Sequence, residues 1–114
     1  MKLIKRLLSI LIFTTLLACS SQKSHTLESL LKEKFTPPDG THTIEIQVTG
    51  NFSCPFELWS LRNGSEHRKR VLEGTVDTTF YRGDWYGSEL SFKSNTPTCI
   101  DKEAIVKVIF YHSH

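Results

Sequence analysis

No G-x-S-x-G, H-E-x-x-H or C-x-x-C pattern occurs in these 114 residues, which removes the local signatures of a serine hydrolase, a zinc protease and a thiol redox centre. There is no internal repeat and no low-complexity segment, so neither a solenoid nor a disordered array is expected. Histidine is sparse and scattered, at 25, 42, 67, 112 and 114. Only His112 and His114 are close enough to share a strand face, and without a third ligand beside them they read as a frayed terminus rather than a metal site. Long apolar runs are missing too. The longest, Leu7 to Ala18, is broken by Ser9, Thr14 and Thr15 and is shorter than the roughly 20 residues a membrane-spanning helix needs. Finally, charge of one sign is not in excess: 14 Lys and Arg stand against 12 Asp and Glu, which gives no case for a nucleic-acid partner.

What is present begins at the N-terminus. Lys2, Lys5 and Arg6 precede the apolar run, and a polar stretch from Ser20 to Ser24 follows it. This is the layout of a secretory signal, with n-region, h-region and cleavage site. Ordinary cleavage wants a small residue at the third-last position, where this chain has Leu16. Leu16-Leu17-Ala18-Cys19 instead resembles the lipobox of bacterial lipoproteins. The resemblance covers about the first 20 residues and implies diacylglycerol on Cys19, removal of residues 1–18, and acylation of the new N-terminus, as with palmitate. It also implies that Ser20, after the lipidated Cys, permits sorting to the outer membrane rather than retention at the inner one. The expected location is the bacterial envelope, with the domain facing the periplasm.

Loss of residues 1–18 changes the bulk account. Lys plus Arg falls from 14 to 11 against an unchanged 12 Asp plus Glu, so the mature chain is slightly acidic. With Cys19 assigned to lipid, Cys54 and Cys99 remain as an even pair, and an oxidising envelope favours a disulfide between them. The division expected is a signal at 1–18, the lipidated Cys and a flexible tether at 19–25, a short helix and Pro-rich connector at 26–40, and a β domain at 41–114. Leu27, Leu30, Leu31 and Phe35 have helical spacing and predict about two turns that stop before Pro37-Pro38.

From Thr41 the period becomes two. Ile44, Ile46 and Val48 alternate with Glu45 and Gln47, predicting a half-buried strand ended by Gly50-Asn51. Phe56 to Leu61 follows, with a turn at Asn63-Gly64. Lys69 to Phe80 is a further strand with Gly74 as a bulge. Arg82-Gly83-Asp84 reads as a turn, Glu89 to Lys93 as a strand with Leu90 and Phe92 inward, and Ala104 to Tyr111 as a central strand covered on both faces. The fold class is mainly β: a small antiparallel sandwich or barrel of five or six strands, with a short N-terminal helix and a disulfide.

No acid, base and nucleophile set stands out, so the chain is read as a non-enzyme without metal or cofactor. Tyr81, Arg82, Trp85 and Tyr86, in the aromatic and glycine-rich stretch Tyr81 to Gly87, are the candidate partner-binding residues, against the alternative that the aromatics close the core. Arg68-Lys69-Arg70 is a basic cluster that reads as a charged strand edge resisting edge-to-edge pairing, with an acidic or lipid partner as the alternative. The function expected is a lipid-anchored accessory or assembly factor contacting an unidentified envelope protein. The alternatives are an envelope inhibitor, immunity or phage-exclusion lipoprotein, and a small hydrolase.

Overall fold

A computed structural model describes residues 20–113. Cys19 and the signal lie outside them, as does His114. The chain forms one curled antiparallel sheet, a half-barrel, from β1 (Ser20–Thr26), β2 (Lys34–Phe35), β3 (Thr41–Arg62), β4 (Ser65–Asp84), β5 (Leu90–Ser94) and β6 (Ile105–His112). The mainly β class and the six strands agree with the sequence expectation. Strand order is β1-β6-β3-β5-β2, with β4 on the other side of β3.

The long β3 organises everything else. Its first half pairs with β6 from Thr41 to Thr49, and its second half pairs with β5 from Leu58 to Arg62. Gly50-Asn51 does not end it, because β4 continues to bond across that point, with Gly50 opposite Val76 and Asn51 opposite Thr75. Ser53 to Pro55 then stand opposite Glu73 alone, between the pairs Phe52 with Gly74 and Phe56 with Leu72. Gly74 has φ +69°, a conformation glycine adopts without the Cβ penalty. This bulge bends both strands, and the halves fold toward one another around a shared core. The hairpin closes at Asn63 (φ 49°) and Gly64 (φ 81°), the paired left-handed conformations of a type I′ turn.

Alternation sets the core. Ile44, Ile46, Val48, Phe52, Phe56 and Leu58 from β3 are buried with Leu72 and Phe80 of β4 and Val106, Val108 and Phe110 of β6. Phe52 and Phe56 stack across the bend at 5.6 Å. The expectation that the last strand is covered on both faces is corrected: Ile105 is exposed and Lys107 and Ile109 are only half-buried, since among the described residues no further layer packs on the outer face of the curl.

Two N-terminal expectations are also corrected. Ser20 to His25 is not a tether but most of β1, paired with Ile105 to Tyr111 of β6. Pairing satisfies the backbone groups of this polar segment and covers an edge that β6 would otherwise expose. The helix is one turn, α1 (Leu27–Leu30), capped by Thr26, whose hydroxyl accepts from the Ser29 amide at 3.3 Å. It ends early because Lys34 and Phe35 are drawn into β2 beside β5.

Cys54 in the β3 bulge and Cys99 in the short 3-10 turn Pro97–Cys99 form a disulfide, with Cα atoms 5.7 Å apart. The expected pairing stands. It ties the β5 to β6 connection onto the bend, with Cys54 inside β3.

Candidate functional site

Bending β4 brings its own two arms face to face. Arg70 and Phe80 are ten residues apart on one strand, yet Arg70 Nε donates to the Phe80 carbonyl at 3.1 Å. An unbent strand would separate them by about 33 Å. Between the arms lies an open cleft of about 650 Å³, lined by Arg68, Lys69, Arg70, Thr79, Phe80, Tyr81 and Arg82. Among the described residues β4 pairs with no strand other than β3, so apart from the Phe80 carbonyl that accepts from Arg70 its outer backbone edge is not strand-paired along this cleft.

Register explains which side chains meet there. Arg68 and Arg70 stand opposite Ser60 and Leu58, both buried, so they share the concave face and reach across the seam. The Arg68 guanidinium lies over the Tyr81 ring at 5.5 Å. Lys69 is on the outer face, where it and Lys93 approach the Trp59 ring at 5.4 and 5.3 Å. Among the described residues the ion pairs are Arg82 with Glu45 at 3.6 Å and Lys93 with Glu66 at 2.6 Å. The run Arg68 to Arg70 is exposed and has no acidic partner among them.

His67 closes one end of the seam. Its ring meets Tyr81 at 4.6 Å and Trp85 at 5.1 Å, both edge-on, and its Nδ1 lies 3.1 Å from the Ser60 hydroxyl. Burial first, and then the nearby Arg62 and Arg68 charges, push its pKa below the usual 6.5. The unfolded chain therefore takes up this proton more readily than the folded one. Stability held by neutral His67 is fully present above pH 6.5 and is lost as the pH falls through the lowered folded value. Urea midpoints measured from about pH 8 to pH 5 should fall with acid in the native chain. They should fall less in His67→Gln; equal slopes would remove His67 from the acid response.

The four candidate partner-binding residues separate. Trp85 is fully buried, its indole N–H donates to the Ser88 carbonyl at 2.7 Å, and Arg62 lies over the ring at 4.3 Å. It is a core residue, so its place in an exposed recognition loop is corrected. The stretch is also not one loop: Arg82-Gly83-Asp84 is the end of β4 rather than a turn, held by pairing with Glu45, Ile44 and Thr43. Tyr81 lines the seam, half-buried. Tyr86 is 69% exposed and stands away from the cleft lining.

Arg82 is exposed but engaged on the outer face. It covers Glu45, which also accepts from the Tyr111 hydroxyl at 3.1 Å and from the Gln47 amide. Burial and the Glu45 carboxylate raise the Tyr111 pKa above its usual 10.0. Among the described residues no three His, Cys, Asp or Glu side chains converge to hold a metal ion. The sequence reading missed the cleft because Arg68 to Arg70 and Thr79 to Arg82 look like opposite ends of one strand. Gly74, midway between them, was the available signal.

No family model and no curated protein matches this chain. Solved structures with a similar arrangement of strands include GITRL from bushbaby, at TM-score 0.52 and 12% identity over 70% of this chain and 76% of that one. GITRL from pika aligns at TM-score 0.49 and 15% identity over 84% and 85%. At such identity the bushbaby likeness is one of fold alone.

Proposed function

We propose that this chain is a bacterial envelope lipoprotein, held by diacylglycerol on Cys19, whose β domain binds another protein without catalysing a reaction. The proposed setting is the outer membrane, with the domain facing the periplasm. The observation that carries the binding role is the seam of β4, lined by Arg68, Lys69, Arg70 and Tyr81, where the three cations have no acidic partner among the described residues and no described strand pairs with the outer edge. An extended acidic segment fits these features, since its backbone would pair with the edge and its carboxylates would meet Arg68 and Lys69. Arg82 and Tyr81 remain candidate contacts, whereas Trp85 does not.

A photo-crosslinking residue in place of Thr79, used in living cells, tests this. A discrete adduct is expected, reduced about tenfold by Arg68→Glu with Lys69→Glu, which corresponds to about 1.4 kcal/mol. An adduct unaffected by the reversal, or none at all, would count against the seam as the contact.

A further inference from the structure

We infer that the end of the half-barrel carrying Tyr86 lies against the lipid headgroups of the membrane that holds Cys19. The inference rests on the proposed lipid anchor and adds an orientation to it.

Ser20 is the first residue of β1 and is already paired with Tyr111 of β6. Tyr111 is opposite Thr43 of β3, and Thr43 is opposite Asp84 of β4. These four residues form one transverse row across the sheet. Because neighbouring strands are antiparallel, β1 begins and β6 ends at or beside this row, as β3 begins and β4 ends. Beyond it lie His112 and Ser113, Thr41 and His42 with the turn from Pro38 to Gly40 that bonds to Thr41 and Ser113, and Trp85 and Tyr86; Cys19 directly precedes Ser20 in sequence. Consecutive Cα atoms are about 3.8 Å apart, so a lipid on Cys19 leaves no slack between the bilayer and this row. A tether of six or seven free residues would have let the domain stand off and tumble; strand pairing from Ser20 removes that freedom.

Tyr86 is the most exposed large aromatic residue described here, at 69%. Its neighbour Trp85 is fixed in the core and its amide donates to the His42 carbonyl at 2.9 Å, so the backbone leading into Tyr86 is held at this end. A tyrosine ring with an apolar body and a polar tip is suited to the headgroup layer. Arg62 and Arg82 near this end are offset by Asp84 and Glu89, so the contact depends on the anchor and the ring rather than on attraction to anionic lipid.

The opposite end is marked by the row Thr26, Ile105, Thr49 and Asp77, six residues or about 20 Å along β1. Thr75 lies beyond it.

The test uses the full chain, processed in cells and reconstituted in vesicles of phosphatidylethanolamine and phosphatidylglycerol, with a nitroxide on Tyr86→Cys, on Asp39→Cys beside the same end, or on Thr75→Cys. Collision with a water-soluble nickel complex should be several-fold lower at 86 and 39 than at 75, and collision with oxygen higher. Asp39 keeps the comparison decisive if the change at 86 perturbs its loop. Equal nickel access at all three positions in a chain whose mass shows lipid on Cys19 would overturn the orientation alone. A chain without that lipid would overturn the anchor and the orientation together.

Discussion

Truncating Trp85 to alanine should lower the unfolding free energy by about 3–5 kcal/mol, the cost of emptying a fully packed aromatic site. The ring has no solvent exposure. Its N–H is satisfied by the Ser88 carbonyl, and its faces and edges meet Arg62 and His67. Collapse into the space is resisted because His67 is held by Ser60 and Tyr81, Arg62 donates to the Asp84 carbonyl, and the β4 end is paired to β3. Tyr86→Ala, one residue on, should change stability by no more than about 0.5 kcal/mol. Urea unfolding of both variants checks the contrast; equal effects would mean that the indole does not sit in the core.

Removing the Cys54–Cys99 disulfide should cost about 4 kcal/mol on the loop-entropy estimate, given its sequence separation of 45 residues. A domain of this size commonly has only about 5–15 kcal/mol in hand, so the loss is between about a quarter and four-fifths of its stability. The effect is also local: without the bond, the connection around Pro97–Cys99 is held to β3 by hydrogen bonds on either side of it, from the Glu57 amide to the Thr96 hydroxyl at 2.8 Å, from the Asn95 side-chain amide to Glu57 at 2.9 Å and from the Asn51 amide to Asp101 at 2.9 Å. The paired change Cys54→Ser with Cys99→Ser avoids a stray thiol. Its denaturation midpoint should match that of the reduced native chain, and both should fall far below that of the oxidised one. A difference within about 0.5 kcal/mol, the range of an ordinary surface change, would contradict a stapling role.

Several elements were legible in the sequence because local chemistry and tertiary role agree there. Ile44, Ile46 and Val48 alternate and are all buried; Asn63-Gly64 makes the tight turn; Cys54 and Cys99 pair as the cysteine count implies once Cys19 is set aside. The rest was hidden for identifiable reasons. β1 is an edge strand whose concave positions, opposite Phe110, Val108 and Val106, are Ser21, Lys23 and His25. With polar residues on both faces it carries no hydrophobic period, so only its pairing partner reveals it. The continuation of β3 past Gly50-Asn51 likewise depends on β4, not on the residues themselves. Trp85 was ambiguous because an aromatic at a strand end serves a core or a surface equally well, and the bend decides which. The basic cleft has no linear signature at all, since it exists only when Arg68 to Arg70 are folded back against Thr79 to Arg82.

The anchor is the premise on which the proposed location and orientation depend, and the mass of the N-terminal peptide released from the membrane-bound protein tests it most directly. The account predicts a peptide beginning at Cys19 and carrying diacylglycerol on its sulfur. An unmodified Cys19, or a mature chain beginning elsewhere, would contradict it.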